Sequence, residues 1–458
     1  MKKIVLLMAL MVLVVVAASA KGIEKRNPKS LIQSPSQELL WKWDTIFTYD
    51  TSGMYQRKTQ QFDVSGNVLS RLTEVWTGST WDNYELYTYT YDASGNQITG
   101  LYQTWENHSW TNDWRFTSTY NSANLLLTEV DETWTTGNTW EYDARVTEEY
   151  DNNNNEITQT WEGWDGTAWV GLYKYSSTYD SNNNHLTVLS QNWSNGAWVN
   201  NYQNSYTYDG ANNQLTEQQQ SWSAGTGWTN VYLITNTYDS GNHLISELMQ
   251  MWQSNAWENN SLTDFTYDGN GYMIKQLVKN WLNGTWADNH QLLFTRDGSG
   301  NMLDETWQIW TDPDWVNYIR YSYSYDEYDN SISGKYEAWL SGAWQPAMWN
   351  LWILQGGVKT DIMVGIYRYE AGYYSFPTGI KDPNSASFVV YPNPAKDFVT
   401  VTFSADHSSK RLTLTDISGK EILSIEVSGS SMYLDVQDLT EGVYFLTAEG
   451  TTRKFIKR

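Results

Sequence analysis

The sequence predicts an all-β protein: an antiparallel repeat meander of about twenty strands, twisted or coiled, followed by a small C-terminal β-sandwich. Three observations carry that expectation. Aromatic residues reach 16% while charged residues are only 18%, a composition that suits pleated, half-buried surfaces. One aromatic pattern recurs about every 29 residues through the middle of the chain. After Trp344 the periodicity fades, and beyond Phe376 come a Pro- and Gly-bearing segment and then an apolar alternation, Phe398-Val399-Thr400-Val401-Thr402-Phe403.

The chain opens with Lys2 and Lys3, an apolar run from Ile4 to Val16 and the small residues Ala18-Ser19-Ala20, the pattern of a secretory signal peptide over residues 1–20. Residues 21–45 read as an N-terminal leader to the repeats. No later stretch approaches the ~20 apolar residues a helical span requires, so no transmembrane segment is expected in the mature chain. The net charge is −23, and loss of the signal peptide removes two lysines and no acid. That balance argues against nucleic acid and anionic membrane surfaces as partners, because phosphate binding needs clustered Lys and Arg. With no cysteine, disulfides, thiolate metal sites and cysteine nucleophiles are excluded.

Residues 46–354 carry the repeat. Its anchors are Asp63, Asp92, Asn121, Asp151, Asp180, Asp209, Asp239, Asp268, Asp297 and Asp326, spaced by 29 residues except for two spacings of 30. An aromatic residue precedes every anchor but Asp297, where Arg296 stands, and Leu or Ile lies six residues after each. A tryptophan follows at thirteen, and a second five or six residues further on, as in Trp105 and Trp110, Trp193 and Trp198, or Trp281 and Trp286. Segments such as Asp92-Ala93-Ser94-Gly95-Asn96 are turn chemistry, because Asp hydrogen-bonds its own backbone and Gly and Asn tolerate positive φ. A second loop bearing Gly or Asn lies between the tryptophans, so each unit reads as one long hairpin paired antiparallel with its neighbours.

Parity adds a constraint. The aliphatic residue at six and the tryptophan at thirteen fall on opposite faces of an ideal strand, so either a bulge intervenes or both faces are covered. At eleven runs a polar row from Glu74 and Gln103 to Glu337, with Lys279 as the one cation, and the tryptophan face is expected to be partly wet. Such a sheet must coil, close or stack; the sequence leaves these open.

The phrase Tyr91-Asp92-Ala93-Ser94-Gly95-Asn96 and its relatives resemble the YD repeats of bacterial surface and toxin-shell proteins, which implies a long coiled sheet. The period here is longer and the tryptophans are additional, so the resemblance extends to architecture and not to toxin function. Residues 355–376 read as capping strands and 377–386 as a linker. Residues 387–458 resemble the type IX secretion sorting domain of the Bacteroidetes. The carrying residues are Tyr391-Pro392-Asn393-Pro394, Leu414-Thr415-Asp416-Ile417-Ser418-Gly419-Lys420, Glu441-Gly442-Val443-Tyr444-Phe445-Leu446 and a basic end. This resemblance implies the type IX secretion machinery and a sortase-like peptidase as partners, and a secreted or outer-surface location.

Chemistry is sparse. The tryptophans Trp105, Trp110, Trp193, Trp198, Trp281 and Trp286 are candidates for a sugar-stacking platform, although cross-strand packing explains the same residues. Calcium at the anchor turns competes with a simple turn role, and the five histidines form no metal pattern. Neighbouring carboxylates such as Asp304-Glu305 are expected by chance in so acidic a chain and define no active site. The expectation is a non-catalytic secreted or surface protein without cofactor or metal, binding glycan or matrix or mediating adhesion. The alternatives are an inert structural repeat or spacer, and a carbohydrate-active enzyme.

Overall fold

A computed structural model describes residues 38–355, 358–378, 388–391, 395–403, 410–416, 420–427, 431–440, 442–448 and 451–457. The expected signal peptide and most of the leader lie outside these residues.

Each repeat folds as the turn chemistry dictates. The anchor Oδ1 accepts the backbone N–H groups two and four residues on, at 2.8 and 2.9 Å for Asp92, while its Oδ2 takes the Asn96 side-chain amide at 2.8 Å. The third residue after every anchor has positive φ, from Gly66 and Asn124 to Asp329. A Cβ disfavours that conformation, which is why only Gly, Asn and Asp occur there. The opposite ends turn through pairs such as Asn195-Gly196 and Asn283-Gly284, both with positive φ, the two-residue connection that matches strand twist.

Two register shifts occur in the typical hairpin. One sits beside the anchor, where Thr90 pairs with Thr99 but Tyr91 with Gln97, leaving Ile98 as the extra residue. The other lies in the returning strand, where Tyr102 pairs with Trp114 but Gln103 with Asn112. These bulges resolve the parity problem: the aliphatic residue at six is the bulged one. One face of the sheet therefore carries the tryptophan pairs and the polar row. The other carries Tyr87, Tyr89, Tyr102, Trp114 and their equivalents.

The bulge beside the anchor ends the ladder early, and the repeat tyrosine compensates. Tyr91, Tyr120, Tyr179, Tyr238, Tyr267 and Tyr325 each donate from the phenol to a backbone carbonyl of the preceding unit, at 2.8–2.9 Å. Buried or half-buried carbonyls need such partners. Side-chain amides also join successive turns, as in Asn96 to Asn124 and Asn155 to Asn183 at 2.9 Å.

The meander closes as a barrel of 22 antiparallel strands. The segment expected to cap the array divides instead into two parts. Trp349–Gln355 and Val358–Ile366 form a separate two-stranded sheet. Arg368–Thr378 pairs with both Ser331–Leu340 and the first strand, Glu38–Asp50, and so joins the two ends of the meander. The expected boundaries at 45/46 and 354/355 each fall inside a strand. At this seam Leu351, Ile353, Met363, Ile366 and Tyr369 are fully buried with Ile46, Tyr323 and Tyr336 around them. Ser331 is buried among them, shares a 2.8 Å hydrogen bond with the Tyr369 phenol and accepts the Leu354 N–H at 2.8 Å.

The C-terminal residues form a three-stranded sheet of Phe388–Tyr391, Phe398–Phe403 and Ser431–Asp435, and a four-stranded one of Lys410–Asp416, Glu421–Val427, Gly442–Ala448 and Thr451–Lys457. Both sheets contribute to one core, with Phe388, Val399, Val401, Leu412, Leu446 and Phe455 buried.

Two outcomes test the seam. A Cβ on Gly334 would stand 2.4 Å from the Tyr369 ring and 3.1 Å from that of Tyr323, so Gly334→Ala is expected to cost ~1–3 kcal/mol in denaturant unfolding. Burial pushes the Asp44 carboxyl up to about 6, against backbone hydrogen bonds that oppose the shift. A raised carboxyl pKa means the folded chain holds a proton that the unfolded chain has released, so this group adds stability as pH falls from 7 towards 5. Thermal melts over that range should show the gain, and Asp44→Asn should diminish it.

Candidate functional site: the aromatic faces of the repeat sheet

Each tryptophan pair occupies directly opposed positions at the hairpin end: Trp105 faces Trp110, Trp193 faces Trp198 and Trp281 faces Trp286. Their ring centroids lie 4.9, 5.0 and 4.8 Å apart at interplanar angles of 66°, 70° and 65°. Edge-to-face contact of this kind adds about 0.5–1.5 kcal/mol beyond area burial. All six rings are half-buried. The pairs also overlap like shingles. Gly171 has no side chain, and the space its Cβ would fill belongs to Trp198 and Trp193 of the next unit, 2.9 and 3.0 Å away. In the preceding unit Tyr142 packs on Trp164 at 5.3 Å and on Trp169 at 5.4 Å.

The polar row beside these pairs is satisfied in one of two ways. Where it carries Glu, an arginine seventeen residues earlier pairs with it: Arg57 with Glu74 at 2.6 Å, Arg115 with Glu132 at 2.7 Å, Arg145 with Glu162 at 2.7 Å and Arg320 with Glu337 at 2.6 Å. The same guanidinium lies over the second tryptophan of that unit, 4.5–5.0 Å from the ring centre. Burial raises the Glu337 pKa, but hydrogen bonds from Arg320 and Lys335 outweigh it and hold the carboxyl below its ordinary value.

Where the row carries Gln, it donates to an Asn on the returning strand: Gln103 to Asn112, Gln191 to Asn200, Gln220 to Asn230, Gln250 to Asn259 and Gln308 to Asn317, at 2.8–3.1 Å. Lys279 pairs instead with Asp264 at 2.6 Å. Among the described residues no Arg or Lys lies over Trp110, Trp198, Trp228, Trp257, Trp286 or Trp315. The five consecutive units anchored at Asp180 to Asp297 thus present indole pairs without a covering cation. In four of them a Gln–Asn amide pair stands alongside.

The anchor carboxylates, weighed above as calcium ligands, have their oxygens engaged by the turn. Accordingly the carboxyls of Asp92, Asp151, Asp180 and Asp209 lie below their ordinary value, chiefly through the side-chain amide four residues on.

The opposite face holds aromatic groups that the sequence pattern did not single out. Tyr87 packs on Tyr102 at 4.6 Å, and Trp114 stands edge-on to Tyr87 at 6.4 Å and stacks on Phe116 at 6.1 Å. The Tyr102 phenol donates to Glu85 at 3.1 Å. Burial first, then the Glu85 charge, pushes the Tyr87 phenol up to about 12, so it remains a donor at neutral pH.

Of the expected sorting residues, Tyr391 ends the strand Phe388–Tyr391, and Gly442 opens the strand Gly442–Ala448. Tyr444 is buried, stacks on Phe455 at 5.6 Å and donates to the Thr440 carbonyl at 2.7 Å. Pro392, Asn393, Pro394 and Gly419 lie outside the described residues.

Residues 389–458 match the family described as the Secretion system C-terminal sorting domain. The protein is therefore one handled by type IX secretion, of the Bacteroidetes kind, and its location is the cell surface or the medium. No curated protein matches the chain. Among solved structures, a TcdB2-TccC3-Cdc42 complex is similar over 84% of this chain and 23% of its own, at 12% identity and a TM-score of 0.26. The chain thus spans about a quarter of that chain's length. A DUF3836 family protein from Parabacteroides distasonis covers 18% of this chain and 74% of its own at 23% identity and TM-score 0.16. A porin-like protein from Bacteroides uniformis covers 54% and 95% at 12% identity and TM-score 0.24. At such TM-scores none of these likenesses bears on what the chain does. No helix among the described residues is long and apolar enough to cross a membrane.

Proposed function

We propose that this is a non-catalytic secreted or cell-surface protein whose YD-like repeat sheet binds glycans or mediates adhesion, the signal peptide being removed after Ala20 and the sorting module by a sortase-like peptidase. One observation supports the binding role above the rest: in five consecutive units the tryptophan pairs have, among the described residues, no cation over the second ring, and four of them stand beside a Gln–Asn amide pair. Indole faces take the apolar face of a sugar ring, while amides exchange hydrogen bonds with its hydroxyls. A chain with a net charge of −23 suits neutral or cationic polymers better than anionic ones.

The half-buried, mutually packed state of the same rings favours a second reading, an inert surface spacer, and one experiment separates the two. The purified protein is passed over immobilised neutral polysaccharides such as cellulose, chitin and starch. Retention on at least one is expected, and the triple variant Trp198→Ala, Trp257→Ala, Trp286→Ala should weaken it by about tenfold or more. Equal retention of the variant would remove the tryptophan row from the binding role, and no retention at all would leave the spacer. Chain length of the bound polymer should stay unchanged on incubation; shortening would show an enzyme.

A further inference from the structure

On the face opposite the tryptophan pairs, a cavity of about 290 Å³ opens between Trp43, Lys58, Arg71, Glu85, Tyr87 and Asp361. A second, of about 380 Å³, adjoins it through Arg71, Tyr87 and Tyr89 and reaches Trp114 and Phe116. Together they make a groove beside the two-stranded sheet formed by Trp349–Gln355 and Val358–Ile366.

Its charges balance, with the cations Lys58 and Arg71 against the anions Glu85 and Asp361. They are not equally engaged. Arg71 lies 3.5 Å from Asp361 and 5.6 Å from the centre of the Trp43 ring, and Asp361 also accepts the Trp43 indole N–H at 3.2 Å. Among the described residues Glu85 accepts only the Tyr102 phenol, and Lys58 makes no direct hydrogen bond or ion pair, although the charges of Glu85 and Asp361 act on it. An ammonium and a carboxylate with spare hydrogen-bonding capacity thus face one space, flanked by half-buried aromatic rings. A groove without net charge gives no preference to an ionic ligand, whereas hydroxyls use both a donor and an acceptor, and ring C–H faces use the aromatics.

We infer that this groove is a binding site for a short neutral oligosaccharide, whose hexose rings lie on Tyr87 and Trp114 while Lys58 donates to, and Glu85 accepts from, its hydroxyls. The inference rests on the reading of the chain as a glycan binder but assigns a second site on the opposite face of the sheet.

Calorimetric titration of the full secreted protein with cellohexaose, maltohexaose and hexagalacturonate tests it. Binding of a neutral hexaose is expected, with affinity falling about tenfold or more in Trp114→Ala and in Lys58→Met and little changed in Tyr87→Phe, which keeps the ring. Lys58→Met leaves the aromatic packing in place, so the test stands even where Trp114→Ala does not fold. Unchanged affinity in Lys58→Met and in any folded Trp114→Ala overturns the inference. Binding of hexagalacturonate alone, or of no hexaose, does so equally. If retention on polysaccharide persists while the groove variants behave as the parent does, this site fails and the wider reading survives. If retention also fails, both fall.

Discussion

The paired bulges of the typical hairpin are the constraint on which the repeat sheet depends. A strand alternates its side chains strictly, so an inserted residue exchanges the faces of everything beyond it. With a bulge at Ile98 and another in the returning strand before Trp114, Trp105 and Trp110 come to share one face while Tyr87, Tyr102 and Trp114 share the other. The bulge also shortens the ladder, and the phenol of the repeat tyrosine supplies the donor that the interrupted ladder lacks. The Tyr-Asp phrase is therefore two devices in sequence. Tyrosine repairs the ladder of the preceding hairpin, and aspartate closes the turn of its own.

Much of this was legible because it is local. The positive-φ position, the turn carboxylate and the opposed tryptophans all lie within one unit, where spacing alone specifies them. The polar row could be seen, but its purpose could not. Glu74, Glu132, Glu162 and Glu337 find arginines on the adjacent strand, whereas Gln103 and Gln191 find asparagines on the other side, and only the register shows which. What the sequence left undecided was closure, and with it the residues that meet across the seam. Trp43 and Asp361 meet across 318 positions, and no local periodicity announces such a contact. The groove residues Lys58, Glu85 and Trp114 were hidden for the same reason the parity seemed contradictory: they share a face only once the extra residues are in place.

The same turn economy reappears outside the repeats. In the sorting module the Asp416 N–H donates to the Lys420 carbonyl at 3.0 Å, and its Oδ1 accepts the Lys420 N–H at 3.0 Å, as the anchors do in every repeat. The cores are nonetheless built differently. The small module buries aliphatic and aromatic side chains from two sheets, whereas the large sheet leaves most of its aromatic rings half-buried and relies on dense side-chain hydrogen bonding between neighbours.

Closure by Arg368–Thr378 sets an order of events. Until that segment has emerged from the ribosome, the first strand and the last hairpin both expose unpaired backbone, and neither can complete its hydrogen bonding. The sorting residues follow directly in the chain, so the stretch that finishes the ring and the stretch that addresses the cargo are synthesised nearly together. A chain interrupted before residue 368 would leave both of these edges unpaired and would also lack the sorting module.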